Sequence, residues 1–488
     1  MKHNMLRVYN TLSRKKEKFT PLETGKVRMY VCGLTVQNYA HIGHIRSAVN
    51  YDVIRRYLEY KGYEVTYVQN FTDINEKIVA RAREEGLRPL ELADKYTKAY
   101  LEDIEKMKIK RADVYCRATD TIKEIIKMVK KLLDKGYAYE VNGNVYFSVE
   151  KFSDYGKLSG RNLEEMQAGA RVEVNEEKRH PMDFALWKKA PAGEISWDSP
   201  WGKGWPGWHI ECSAMSIKYL GKRIDIHGGG TDLIFPHHEN EIAQSESCTG
   251  EKPFVKYWLH NGSVNLKGEK MSKSLGNFFT VREILKEFKP DEVRYFLLTK
   301  HYRSPIDFNF EEVEAARKSW RKLVNTYQVM VQILEKGVIT KNKITENTKG
   351  ENTIISILNK KEKEFEEAMD DDFNTARATG VMHELAREIN TFVNSPEFEL
   401  NGETSKVLKK AQNLFDRFSD ILGLDLAFSS SDEVDNEILN NLVDFILEIR
   451  DEARQEKNWQ LADRIRDGLE DLGFEIKDTP HGVRWERK

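Results

Sequence analysis

Cysteine is scarce in this chain, four in 488 residues, too few for the disulfide framework that staples small secreted domains. No stretch approaches the ~20 apolar residues of a membrane helix, and Met1–Asn10 has no apolar segment of the secretory kind. These absences point to a reducing compartment, the cytoplasm, with no membrane partner. There a special cysteine is a metal ligand or a nucleophile. Excess charge is missing as well, with 77 Lys and Arg against 79 Asp and Glu. The balance excludes both the basic footprint of a sequence-blind nucleic-acid binder and an acidic tail, so a nucleic-acid partner has to be argued from local sites. There is no internal repeat and no long low-complexity tract. What is present is length and a 40% hydrophobic content, enough for two to four domains with at least one large core.

The first part alternates strand and helix. Arg28–Gly33 is a short apolar run ending at glycine, a buried strand. From His41 to Tyr60 the residues Ile45, Val49, Val53, Tyr57 and Leu58 recur at helical steps, and Gly62 ends the helix. Glu64–Asn70 reads as a second strand, and a charged helix starts near Asn75. Strand–helix–strand spacing of this kind predicts parallel pairing, an α/β fold with a Rossmann-like doubly wound sheet. The rhythm loosens over 112–206, where a helix at Thr121–Lys135 and a hairpin at Asn142–Gly143 precede a stretch rich in Trp, Pro and Gly. It resumes at Ile224. The expected division is 1–111 and 207–310 as two halves of a catalytic domain, 112–206 as a connective insertion, 311–430 as an all-α bundle, and 431–488 as a small C-terminal domain. Polar linkers are expected at Thr340–Asn352 and Ser429–Asp435.

Two motifs suit phosphate. His41-Ile42-Gly43-His44 opens the first helix directly after the first strand. A helix start presents free N–H groups and the positive dipole end, glycine lets a nucleotide approach, and imidazoles can donate to phosphate oxygens. Taken alone, two surface histidines at a helix start fit equally well. Lys270-Met271-Ser272-Lys273-Ser274, between Gly268 and Gly276, suits a loop closing on a polyphosphate, although most such runs are solvated basic loops. The run Gly202–Gly207 matches G-x-G-x-x-G, but no strand is expected before it and Pro206 stands where a helix should begin, so it reads as a loop.

Cys32, Cys212, His237 and Glu241 lie near these motifs, the last two at helical i,i+4 spacing. Two thiolates, an imidazole and a carboxylate suit zinc. Separately, each also suits a duller role: a buried small hydrophobe for a cysteine, a surface contact for a His–Glu pair.

The HIGH and KMSKS pair resembles the signature of class I aminoacyl-tRNA synthetases. The segments MYVCG (Met29–Gly33), GWHIECSAM (Gly207–Met215), FPHHENEIAQS (Phe235–Ser245) and EKMSKSLGNFF (Glu269–Phe279) resemble those of the cysteinyl-tRNA synthetase family. The similarity runs from about Leu6 to Phe310 and resumes near the C-terminus. It implies that ATP, with Mg2+, is held by His41, Gly43, His44, Gly229, Gly230, Asp232 and Lys273, although a tight turn alone would explain the glycines. It implies His41, His44, Lys270 and Lys273 as catalytic groups stabilising the α-phosphate as pyrophosphate leaves. It implies one Zn2+ per chain on Cys32, Cys212, His237 and Glu241, and an L-cysteine pocket of Cys32, Gly33, Thr35, Thr72, Trp208 and His227. Cys116 and Cys248 match no ligand position and read as structural. Zinc would bind a substrate thiol as the thiolate, whereas a hydroxyl gains little there. Such chemistry can exceed the ~1–3 kcal/mol that a pocket draws from one small group.

The C-terminal charges are mixed and by themselves suit a scaffold bundle. The segment Asn458–Asp467 resembles the family's anticodon-reading terminus, which implies tRNA(Cys) as partner, with Trp459 stacking on a base and Arg454, Asp463 and Asp478 bonding base edges. A surface tryptophan near a chain end also suits a cap on a small core. The expected state is a monomer. The second reading is a cysteine:amino-sugar ligase of the same fold, which lacks an anticodon domain; the third is a zinc protein that binds RNA without catalysis.

Overall fold

Five parallel strands make the central sheet, in the order Val255–Asn261, Ile224–Gly230, Lys26–Thr35, Glu64–Thr72, Val114–Arg117. The winding therefore reverses between Lys26–Thr35 and Ile224–Gly230, and in open α/β sheets ligands bind at that reversal, outside the carboxyl ends of the strands. The computed structural model describes residues 5–162, 176–266, 269–270, 278–335, 348–427, 431–479 and 482–487. Met271–Ser274, with Lys273, lie outside the described residues, as do the side chains of Lys270 and Asp478.

Parallel strands need helical crossovers. The first is Ile42–Tyr60, whose Ile45, Val49, Val53 and Tyr57 are buried at the spacing read from the sequence. Val114–Arg117, counted with the insertion in the sequence reading, is the sheet's edge strand. The chain then forms an antiparallel sheet ordered Ala138–Val141, Asn144–Phe147, Phe184–Lys189, Gly204–Pro206. Its tight turn uses Asn142 at φ 55° and Gly143 at φ 89°, the left-handed pair that matches strand twist. The expectation of a loop at Gly202–Gly207 needs correcting. Gly204–Pro206 is a strand paired with Trp187–Lys189, and Gly207 caps the helix Trp208–Leu220. Pro206 is tolerated because this strand is the sheet's edge.

The helices Phe310–Glu335, Thr348–Asp370, Thr375–Val393 and Gly402–Leu422 share one apolar core with the first crossover helix. Helix Thr348–Asp370 starts inside the segment expected to be a linker, since its buried stripe of Ile354, Leu358, Phe365 and Met369 supports the whole element. Arg294, fully buried, bonds Asp52 of the first crossover helix and donates to the Leu422 carbonyl at 2.7 Å. Breaking such a pair costs about 3–5 kcal/mol.

The chain divides into two compact units at Leu426/Ala427. The second unit has helices Ser431–Gln455 and Trp459–Asp471 and an antiparallel pair, Phe474–Thr479 with Gly482–Arg487. The first helix thus starts within the expected 429–435 linker. Val443, Leu447, Leu469 and Phe474 form its small core.

Candidate active site

Four elements converge at the reversal point of the sheet. Cys32 stands near the carboxyl end of strand Lys26–Thr35, Cys212 on helix Trp208–Leu220, His237 on the short turn Ile234–His238, and Glu241 on helix Glu239–Thr249. One ligand atom from each lies within 4.8 Å of all the others. The sulfurs of Cys32 and Cys212 are 3.8 Å apart, Cys32 Sγ is 3.6 Å from Glu241 Oε1, and His237 Nε2 is 3.1 Å from the same oxygen. Two sulfurs at roughly 2.3 Å from a tetrahedral zinc stand about 3.8 Å apart, so the spacing fits that ion.

The charges point the same way. The hydrogen bond from Cys32 draws the Cys212 thiol down to about 6 against burial, while burial and that neighbouring sulfur push Cys32 well above its usual value. Burial works against a charge on His237, but Cys212 and Glu241 outweigh it and lift the imidazole to about 10. Burial would raise Glu241, yet His227 and His237 bring it down to about 2. The centre thus concentrates negative charge that protons only partly offset, and a dication displaces such protons.

Four further imidazoles gather around this cluster, and of these only His227 is among the site residues expected from the sequence. His227 Nε2 lies 2.9 Å from Glu241 Oε2, and its ring stacks on Trp258 at 4.5 Å. His209 Nδ1 meets His237 Nδ1 at 2.9 Å. His238 is 3.4 Å from Cys32 Sγ through Nε2 and 2.8 Å from His260 through Nδ1. Cys32, His227, His238 and Glu241 form a second set of donors as compact as the first. His209 and His238 sit inside the quoted motifs and could have been found there. His260 carries no local signal, because only pairing of its strand beside Ile224–Gly230 brings it in.

Of the other expected cysteine-pocket residues, Thr35 pairs with Thr72 in the sheet, and Thr72 Oγ1 donates to the buried Glu211 at 3.1 Å. Gly33 N donates to Asn70 Oδ1 at 2.9 Å, and a Cβ at Gly33 would overlap the Asn70 carbonyl. Trp208 is 44% exposed and its ring lies 4.3 Å from that of His237, an aromatic wall beside the donors.

At the helix start, His41 is the N-cap and its Nδ1 accepts from Gly43 N at 3.1 Å. The His41 and His44 rings stack at 3.6 Å. The glycine run is held from below by Tyr51, whose hydroxyl accepts from Gly229 N at 2.6 Å and lies 2.7 Å from the Leu259 carbonyl. A side chain at Gly228 would overlap the Tyr51 ring, so glycine there serves close packing. Gly230 ends the strand and Asp232 follows, exposed.

In the second unit, Trp459 opens its helix 58% exposed, one turn before exposed Asp463. Arg454 lies in the last turn of the preceding helix, and Asp478 on strand Phe474–Thr479.

A family model described as tRNA synthetases class I (C) catalytic domain matches residues 18–318, and one described as DALR domain matches residues 364–427. The chain is 52% identical to a cysteine–tRNA ligase of Heliobacterium modesticaldum, over 99% of both chains. It is 50% identical to one of Thermococcus onnurineus, again over 99% of both. In fold it is similar to a methionyl-tRNA synthetase of Mycobacterium tuberculosis solved with methionyl-adenylate, at a TM-score of 0.60 and 14% identity, over 81% of this chain and 92% of that one. Agreement of this depth along nearly the whole of both relatives means that the chain belongs to the cysteine–tRNA ligase family, within class I of the tRNA synthetases.

Proposed function

We propose that the protein joins L-cysteine to ATP as cysteinyl-adenylate, releasing pyrophosphate, and then transfers the cysteinyl group to the 3′-terminal ribose of tRNA(Cys). The observation that carries this reading is the convergence of Cys32, Cys212, His237 and Glu241 within 4.8 Å at the reversal point of the sheet. Those four residues would hold one zinc ion per chain. When bound, zinc supplies a site for a deprotonated thiol, which a hydroxyl or methyl group does not match.

The remaining roles fall to the chain itself. Trp208, Thr72, Thr35, Gly33 and His227 enclose the substrate beside the donors and orient its carboxylate. His41, Gly43 and His44 at the helix start, with Lys270 and Lys273, face the triphosphate and stabilise charge on the α-phosphate and the departing pyrophosphate. Gly229, Gly230 and Asp232 hold the nucleoside, with Mg2+ accompanying the phosphates. No side chain attacks covalently; positioning and electrostatics supply the acceleration. In the second unit Trp459, Arg454, Asp463 and Asp478 read unpaired bases.

The division of labour follows the pieces 1–111 and 207–310 for catalysis, joined by the edge strand Val114–Arg117, the rest of 112–206 as insertion, 311–430 as bundle and 431–488 for the anticodon, in a monomer acting in the cytoplasm. Among the described residues no helix is long and apolar enough to cross a membrane. End-to-end coverage of the relatives favours this reading over an amino-sugar ligase that lacks the last unit. The test is pyrophosphate exchange across all amino acids with zinc measured alongside: cysteine alone should support exchange, and exchange by metal-free protein would overturn the metal's role.

A further inference from the structure

Arg46 lies on the helix that carries His41 and His44, and it is completely buried. Among the described residues no carboxylate pairs with it. Its Nη1 donates to the carbonyls of Gly262 at 2.9 Å and Ser263 at 2.6 Å, and its Nη2 to those of His301 at 3.5 Å and Ser304. Its Nε meets no acceptor among the described residues. A buried guanidinium held only by carbonyl dipoles is an expensive arrangement for simple packing, where an apolar side chain would serve. What distinguishes it is the identity of the carbonyls.

Gly262 and Ser263 immediately precede strand Val264–Leu266, which pairs antiparallel with Glu269–Lys270. His301 and Ser304 lie in the turn that leads through Pro305 into Ile306–Asp307, which pairs parallel with Val264 and Asn265. One planar fork thus grips the entry to the central strand and to one edge strand of this small sheet, and a planar fork fixes direction as well as distance. Gly262 leaves no slack: a Cβ there would run into the Ser304 and Arg303 carbonyls. The neighbouring Ser47 adds a bond from its hydroxyl to Asn261 Oδ1 at 3.1 Å.

The chain on the far side of the KMSKS residues is tied to the same helix start. Ile42 N donates to the Phe279 carbonyl at 3.1 Å, and Val281 N to the Ala40 carbonyl at 3.0 Å. Both flanks of that segment are therefore registered against the turn bearing the two histidines, one by backbone pairing and the other by Arg46.

We propose that Arg46 is a positioning residue for adenylate formation, locking the base of the Val264–Lys270 hairpin to the helix start that presents His41 and His44. The proposal rests on the assignment of those histidines and lysines to ATP. Being fully buried, Arg46 touches neither substrate, so its effect reaches the reaction through the placement of other groups. Misplacement of a catalytic group by an ångström can cost about 100-fold in rate.

The test is steady-state pyrophosphate exchange on the full chain with Arg46→Lys, which keeps the charge but not the fork, and Gly262→Ala, which displaces the same carbonyls and leaves Arg46 intact. Both should lower kcat roughly 10- to 100-fold while cysteine KM and bound zinc stay within about twofold. An unchanged kcat in Arg46→Lys would overturn the proposal. So would a kcat loss matched by an equal rise in cysteine KM and loss of zinc, the mark of general loosening. Wild-type exchange with a different amino acid would sink the cysteine assignment instead, and the Arg46 comparison would be read with that amino acid.

Discussion

Cys32 and Cys212 are 180 residues apart in the chain, yet their sulfurs lie 3.8 Å apart. One reaches the centre at the end of the first parallel strand, the other on the helix that brings the chain back from the insertion, and Glu241 and His237 close the ring.

Replacing Cys32 or His237 with alanine is expected to remove zinc and cysteine binding together. Loss of a residue that hydrogen-bonds a metal ligand typically costs roughly 10- to 100-fold in metal affinity, and loss of a direct ligand should exceed that. Zinc per chain by atomic absorption and cysteine KM in pyrophosphate exchange check it; a variant that loses metal but keeps cysteine KM would contradict the assignment.

Tyr51→Phe removes the hydroxyl that accepts from Gly229 N and bonds the Leu259 carbonyl. An unsatisfied buried polar group costs about 1–3 kcal/mol. The expected outcome is a lower thermal midpoint with a raised ATP KM, since the glycine run loses its support, and little change in cysteine KM.

Trp459→Ala should separate the two half-reactions. Base–aromatic stacking contributes about 1–3 kcal/mol, so kcat/KM for tRNA charging should fall roughly 5- to 150-fold. Pyrophosphate exchange should be unaffected. Equal loss in both assays would show that Trp459 supports the fold rather than the RNA.

Acid should destabilise the bundle through His383. Burial, reinforced by Lys322, holds its imidazole below the usual value, and Nε2 lies 2.7 Å from the Tyr295 hydroxyl. The unfolded chain takes up this proton near pH ~6.5 and the folded chain only at lower pH, so unfolding is favoured as pH falls. The contribution is complete above that pH and is lost on acidification through the folded value. Thermal midpoints between pH 7 and 5 should fall less steeply in His383→Gln than in the parent.

Local chemistry made much of this readable in advance. The strand before His41, the helix after it and the i,i+4 placement of His237 and Glu241 follow from apolar period and spacing, which act over a few residues. The errors share a cause. Pro206 standing where a helix should begin made Gly202–Gly207 read as a loop, but sheet pairing at an edge makes Gly204–Pro206 a strand and the helix starts at Trp208. The segments near Thr348 and Ser431 look like linkers by composition, while burial further along each helix carries the element back through them.

The sequence alone determined the donor types, the phosphate motifs and the alternation that makes a doubly wound sheet, because each is encoded in neighbouring residues. Only the tertiary structure decided that His209, His227, His238 and His260 gather around the four donors, and that Arg46 grips Gly262, Ser263, His301 and Ser304. Those partners are set by strand order and crossover, and a distance across strands has no counterpart in spacing along the chain.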